Sequence, residues 1–590
     1  MTANVRGGRL QVLTAVAAAQ KSLLADRLVE IGMWGILSPP MIQWLAAAAV
    51  ADGLDKRPIV DLAGLGAHGR YQANIRRDLM RAYPVCPAVP EAVLIDTPYK
   101  GTKDGRLIPS RIQDPVLLPH ELFHGIYTYH RDLFNSFLGN GLEDFWSQVP
   151  DNDPRLHNHP MLEVPGWRSK AVPLMLHADG IAFTMKSNSL LCVQWCFLMG
   201  QGFGWDQKFL ITTFPKVCRV KASEFGEGND TWQAKWEVIA FSFQALFAGR
   251  FPEQLPDGTE CAKAGERIAG DFFGVVWVAN PDWECLSNEW GVNHFGSHHP
   301  CWLCRCTDYD PNLNFRDVSP EAPWKATLHP PGTDPPSQHL VYSIPGVCRF
   351  THPGDLQHTF DLGVLLELHG SVMAELAVVN AILPGPTIDS RTASLWRELR
   401  EVYAAGQIEK RLQNLTREMF WMGPQQFPCL KCKAAESRHL IWPMMQILRA
   451  HFDGSERSGH RLACYHHVWK FYEICYKSGF FLGEVRAQAA FKHLEAFLVH
   501  YHWLCQDSLR SGNYLYNFTP KVHLLWHIGY SCRFMNPTAV WNYSFEDFCG
   551  RIQRCARAQT AGTPMHLVPR KVMEAYRRAL SIKLVGQQRL

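Results

Sequence analysis

The chain reads as an α/β protein. A mixed sheet is separated from the last helices by a large, mostly helical insertion and is preceded by an N-terminal mainly helical region. Three observations predict this. Residues 172–178, 190–198 and 208–214 are apolar runs of strand length, too short for helices and rich in β-formers. A helical repeat follows at 231–249 (Trp232, Trp236, Ile239, Phe243, Leu246, Phe247), and a fourth apolar strand at 272–279. Acids then punctuate the pattern: Asp179 closes the first strand and Asp282 follows the fourth. The order is informative because a strand lying parallel to an earlier one needs a crossover, usually a helix.

Taken along the chain, residues 1–165 are expected to be mostly helical. Pro39-Pro40 opens a helix over 41–53, and 119–138 repeats apolar residues at helical spacing. The stretch 84–116 is rich in proline and glycine and reads as a linker, and the proline-rich 307–350 reads as a loop. Helical patterns resume at 359–382, 389–414, 437–452, 460–478, 485–505, 541–557 and 566–583. Residues 10–20 continue into an amphipathic pattern with Lys21, Asp26 and Arg27, which favours a helix of the folded protein over a signal peptide. No apolar run is expected to reach the ~18–20 residues of a membrane span, so a soluble, intracellular protein is expected.

At 590 residues the chain exceeds one compact core, and length suggests roughly two to four domains. Hydrophobic content of 47% with 19% charged residues excludes extended disorder. A net charge of +4 is weak for a nucleic-acid binder of this size, so any such contact must rest on local patches. The eighteen cysteines are scattered, and two pairs have Cys-x-x-Cys spacing, which points to reduced thiols and metal binding rather than a disulfide scaffold. Gly64-x-Gly66-x-x-Gly69 matches a dinucleotide fingerprint. Charged Asp55, Lys56 and Arg57 precede it and a polar segment follows, so a glycine turn opening a polar helix is the better reading.

Three strands, a helix and a fourth strand, with aspartates after the first and fourth, is the order of an RNase H-like core. Such a core needs a third acid on a distant helix, and Glu546 in Trp541-Asn542-Tyr543-Ser544-Phe545-Glu546 is the candidate. Three carboxylates can hold two Mg²⁺ or Mn²⁺ ions ~3.5–4 Å apart for phosphodiester cleavage and transfer. Neighbouring strands would bring the two aspartates together on a rigid support. Taken singly, each acid also fits a plain turn or a solvated helix face. The expected organisation is a mainly helical region at 1–165, the first part of the RNase H-like core at 166–300, a cysteine-containing loop and helical insertion at 301–535, and the Glu546 helix with a basic C-terminal helix at 536–590.

Six short blocks, in order, resemble the DDE transposases of CACTA and KDZ-type elements, the CMC superfamily. They are Leu176-His177-Ala178-Asp179-Gly180; Asp282, nineteen residues before Cys301-x-x-Cys304; Asp355-Leu356-Gln357-His358 with Leu362-Gly363; Lys433-x-x-Glu436-x-Arg438; Pro520-Lys521-x-His523-x-x-x-His527; and Tyr543-x-Phe545-Glu546. Gln357 replaces the family's usual Met, Trp283 and Glu284 replace small residues, and residues 1–165 match nothing in the family. The resemblance, over about 170–560, implies an RNase H-like fold and a catalytic set of Asp179, Asp282 and Glu546. It further implies Mg²⁺ or Mn²⁺ as cofactor, DNA as partner, no membrane, nuclear localisation if the source is a eukaryote, and leaves a homo-oligomer open. A catalytically inactive, transposase-derived DNA- or partner-binding protein is the alternative.

Cys301 and Cys304 form half of a tetrahedral Zn²⁺ site, with Cys306, His294, His298, His299, Asp355 or His358 as candidate completions and ordinary reduced thiols as the alternative. Cys429 and Cys432 are a second half-site without flanking histidines. Within the family-like blocks, His358 is a candidate zinc or phosphate ligand, beside Asp355, Glu436 and Arg438. His523 and His527 share a helical face; with Lys521 they either meet a DNA backbone or pack in the core. Arg551, Arg554 and Arg557 follow Glu546 at helical spacing and are candidate phosphate contacts, against a solvated face.

Overall fold

The computed structural model describes residues 22–104, 106–184, 188–200, 207–408 and 410–587, so the 10–20 segment lies outside the described residues. The four expected strands are β3 (Ala171–Ala182), β4 (Ser189–Phe197), β5 (Lys208–Pro215) and β6 (Phe273–Ala279). They form one sheet in the order β5-β4-β3-β6. β3 and β4, and β4 and β5, are antiparallel, whereas β6 returns parallel to β3 through the helix Thr231–Ala248. That helix starts where the Asp230 carboxylate accepts from Trp232 N and Gln233 N (2.8 and 2.9 Å) and stops at Gly249, whose φ of +67° suits glycine. β4, β5 and β6 are almost wholly buried, which is why their sequences are continuous apolar runs rather than alternating ones. Gly274 lets the layers close: a Cβ there would meet Leu246 of the crossover helix and Leu174 of β3.

The 84–116 stretch is not a plain linker. It holds an antiparallel hairpin, β1 (Val93–Lys103) and β2 (Arg106–Val116). Prolines hid it: Pro98 lies opposite Arg111 and Pro109 opposite Lys100. Each strand of a two-stranded ribbon has an outer edge, where a missing N–H costs no ladder bond. The hairpin's base joins the sheet where Leu117 N donates to Ile211 O (2.8 Å). A buried ion pair fastens the junction: Lys235 of the crossover helix meets Asp114 of β2 and donates to Thr212 Oγ1 of β5 (2.9 Å).

Other expectations need smaller corrections. The 119–138 helix is two, Pro119–Tyr129 and Arg131–Phe137, broken at His130. The glycine motif lies between the helices Arg57–Ala63 and Gln72–Ala82, with Gly66 and Gly69 at positive φ. The element directly before it is a helix, not a strand, so the dinucleotide geometry is absent there. Contrary to expectation, one stretch among the described residues, Gln357–Val379, is long and apolar enough to cross a membrane. Of its most apolar window, 72% is buried inside the protein, as in a core helix. Its first turns, Gln357–Val364, are wound as π-helix, a rare geometry found mostly where a helix serves a site.

The insertion is built of helices, among them the antiparallel pair Glu456–Tyr476 and Glu484–Arg510, followed by Pro520–Ser531. The chain then returns to the sheet. Tyr543–Gln559 lies along β3: the Phe545 ring stacks on His177 (centroids 4.5 Å), and Gln194 Nε2 of β4 contacts Cys549 Sγ (3.1 Å). Val568–Gln587 packs on β5, where Tyr576 OH accepts from Leu210 N (3.0 Å).

Candidate active site and metal centre

Strand register sets the first two acids. Leu176 of β3 pairs with Ala279 of β6, so Asp179 and Asp282 each stand three residues beyond a paired position on neighbouring parallel strands. Asp179 Oδ1 accepts from Gly180 N (2.6 Å). Asp282 caps the helix Trp283–Asn288, its Oδ1 accepting from Cys285 N (2.7 Å). The helix along β3 brings the third acid: Cys549 lies with Asp179 and His177 in one group of potential metal donors, and Glu546 precedes Cys549 by one helical turn. Burial, then the charges of Glu546 and Asp282, push Asp179 up to about 8. Burial likewise raises Asp282, against the bond from Cys285 N. The three acids form one electrostatic cluster.

His358 joins them. Its Nδ1 donates to Asp355 Oδ2 (2.5 Å) and its Nε2 faces Glu546 Oε1 (3.2 Å). Burial opposes the charge, yet the two carboxylates hold His358 well above the ordinary histidine range, so it is an imidazolium. The reciprocal effect keeps Asp355 below the usual carboxylate range despite its burial. Asp355 Oδ1 also accepts from Asn542 N (3.0 Å), the residue before the Glu546 helix. One buried carboxylate therefore orients both the histidine and the helix that carries the third acid.

Asp282, Trp283, Asp355, His358 and Lys521 line a cavity of about 480 Å³. Lys521 Nζ donates to His358 O (2.8 Å), and burial lowers its pKa. Arg438 stays outside this cluster. It pairs with Asp361 (3.7 Å) and lies over the Tyr543 and Trp541 rings (4.5 and 4.7 Å). Asp361 is fully buried and accepts from Tyr472 OH (2.5 Å) and Tyr543 OH (2.7 Å); burial raises it to about 7. Sequence reasoning passed over Asp361 and Tyr472, and took Tyr543 only as part of the block that carries Glu546. The available signal was Asp361, the first of three acids (with Glu367 and Glu375) in the apolar stretch Gln357–Val379. Glu436 takes no part: its carboxylate accepts from Lys433 N (2.9 Å) as a helix cap.

The cysteine pair finds its partners far along the chain. Cys301, Cys304, Cys306 and His523 are all buried, with donor atoms within 4.8 Å of one another, a Cys₃His group that could hold a metal such as zinc. His523 Nε2 lies 3.3 Å from Cys304 Sγ and 3.4 Å from Cys306 Sγ, close to the separations expected around one tetrahedral ion. His527 Nε2 adds contacts to Cys301 Sγ (3.4 Å) and His523 Nε2 (3.1 Å). Burial works against a charged Cys301, but the neighbouring thiols and both histidines hold it well below the ordinary thiol range.

Several residues are thereby reassigned. His523 and His527 are buried beside thiols, which favours the core reading for them; Lys521 lines the cavity of the acidic cluster, and His527 borders a separate one of about 160 Å³. His298 pairs with Asp308 instead of the thiols (2.8 Å), and Asp355 and His358 belong to the acidic cluster. Cys429 and Cys432 enter no donor group among the described residues. All eighteen thiols are free of disulfides. Arg554 and Arg557 are exposed, whereas Arg551 is partly buried near Asp547 (3.9 Å) and the Trp34 ring. The last helix spends much of its charge internally, Arg577 on Glu91 and Arg578 on Glu574. Comparison with models of known families finds no match, and comparison with curated proteins finds none.

Proposed function

We propose that the chain is a transposase-like DNA recombinase of the DDE type, cleaving and transferring DNA strands. The observation that carries this reading is the convergence of Asp179, Asp282 and Glu546 on one cluster. Support comes also from the sheet: order β5-β4-β3-β6, with only β6 parallel to β3, is the arrangement expected of an RNase H-like core. The donor set fits Mg²⁺ or Mn²⁺, because Asp179, raised by burial and by the charges of Glu546 and Asp282, and Asp282, raised by burial, are relieved by a hard cation. Asp179, Asp282 and Glu546 would hold it, and when bound it activates the attacking oxygen and stabilises the leaving one. His358 fixes the Glu546 carboxylate, and Asp355 fixes His358. Lys521 offers a cation on the cavity wall, and Arg554 and Arg557 offer phosphate contacts without sequence preference. Zinc in the Cys₃His group would tie the 301–306 loop to the helix bearing Lys521, which links the metal centre to the shape of the cavity.

One observation favours a non-catalytic, DNA- or partner-binding reading: Glu546 already spends an oxygen on the His358 imidazolium. Nicking of supercoiled plasmid with Mg²⁺ or Mn²⁺ separates the two. Wild type is expected to nick, and Asp179→Asn and Glu546→Gln to fail while still binding DNA. A wild-type protein that binds DNA but nicks with neither metal would overturn the catalytic reading.

A further inference from the structure

The antiparallel helices Glu456–Tyr476 and Glu484–Arg510 face each other through histidines that the reading above leaves unused. His460 and His467 are seven residues apart on the first helix, and His493 and His500 seven apart on the second, two turns in each case. They meet in antiparallel register. His467 Nδ1 lies 2.9 Å from His493 Nδ1, and His460 Nδ1 lies 2.8 Å from His500 Nδ1. The pairs adjoin, with the His467 and His500 rings stacked at 5.6 Å. All four side chains are partly exposed, so an ion can reach them from solvent.

Two like nitrogens at this distance can share one hydrogen bond or one ion. Two metal–nitrogen bonds of ~2.0–2.1 Å meeting at a right angle set their nitrogens ~2.9 Å apart, while a tetrahedral angle sets them ~3.3 Å apart. Right-angled pairs of imidazoles are the ligands of a tetragonal ion. The surroundings hold the rings as ligands: Trp503 stacks on His460 at 4.0 Å and 3°, and Glu456 Oε1 lies 3.8 Å from His460 Nε2, on the side where a ligating histidine carries its other N–H. Lys470, whose charge acts on His493, pairs with Glu473 (2.8 Å). Burial lowers all four histidines, with repulsion added at His467, His493 and His500 and with Glu456 acting against it at His460, which favours neutral rings that keep lone pairs to offer.

We propose that this seam binds divalent transition-metal ions of tetragonal preference, Cu²⁺ or Ni²⁺, with His467–His493 and His460–His500 as two chelating pairs. Binding moves the shared proton of each pair from Nδ1 to Nε2 of the same ring, so both Nδ1 atoms become donors and no net charge is lost. The site is separate from the acidic cluster and from the Cys₃His group, and it clamps the helical hairpin.

The test uses the full chain, purified with its thiol-bound metal in place and dialysed against Ni²⁺ at neutral pH. Wild type and Cys304→Ser are expected to retain the same extra Ni²⁺, without the intense absorption of a thiolate–nickel centre. His467→Asn should weaken that retention on the order of tenfold or more, as loss of a ligand must cost at least what loss of its support costs. His467→Asn combined with His500→Asn should abolish it, with an unchanged far-ultraviolet dichroism spectrum verifying the fold. Equal Ni²⁺ retention by wild type and a folded double variant would overturn the proposal, as would nickel showing only thiolate absorption.

Discussion

Replacing Asp179 by Asn should stabilise the protein while destroying its proposed chemistry. Folded Asp179 titrates at about 8 against an ordinary 3.8, because it is buried beside Glu546 and Asp282. An acid raised in this way keeps a proton that the unfolded chain has lost, so stability falls as pH climbs from about 4 to about 8. At about 1.4 kcal/mol per tenfold change in proton affinity, that gap sets a ceiling of about 6 kcal/mol. Asp179 is only half-buried, and solvent screening brings the expected gain to about 2–3 kcal/mol. Asparagine keeps an oxygen for Gly180 N and carries no charge. Urea unfolding at pH 5 and pH 8.5, without added divalent ions, is the assay. The advantage of Asp179→Asn should be small at pH 5 and full at pH 8.5. Mg²⁺ at ten times its dissociation constant should then stabilise wild type alone, by about 1.4 kcal/mol. A gap that is the same at both pH values, or a variant less stable than wild type, would refute the picture of a repelling cluster.

Three further outcomes are expected. Cys304→Ser removes one donor of the Cys₃His group, so metal analysis should show the tightly bound ion lost, and retention of a full equivalent would contradict the assignment. His358→Ala strips the cation from between Asp355 and Glu546 and leaves buried Asp355 without its counter-charge, at a cost of about 3 kcal/mol in urea unfolding. Because His358 is raised, that stabilisation is complete below about 6.5 and is lost only as pH rises through its higher folded value, so the wild-type advantage should shrink at alkaline pH. Arg554→Ala with Arg557→Ala should weaken DNA binding equally for all sequences and lower the salt slope by about 2, measured by fluorescence anisotropy.

The path from sequence to site was uneven, for identifiable reasons. Strands β3 to β6 and the crossover helix were legible because buried strands are continuous apolar runs and a helix repeats its apolar face locally. The β1–β2 hairpin was missed because Pro98 and Pro109 mimic a linker, while the ribbon tolerates them on its outer edges. Arg438 and Glu436 sit in one short block yet do unrelated work, one packing beneath Tyr543 and the other capping a helix. Nothing in a local window distinguishes those roles.

By itself the sequence determined the order of strands and helices, the placing of Asp179 towards the end of the first strand and of Asp282 just beyond the fourth, and a half-formed thiol site at Cys301 and Cys304. Each depends on neighbours a few residues away, whose spacing dictates which side is buried. Only the tertiary structure decided that His523 completes that thiol group from 217 residues beyond Cys306, that His358 bridges Asp355 to Glu546, and that four histidines meet across a helical hairpin. Such meetings depend on how distant helices pack and where loops close, and side-chain periodicity carries no record of either.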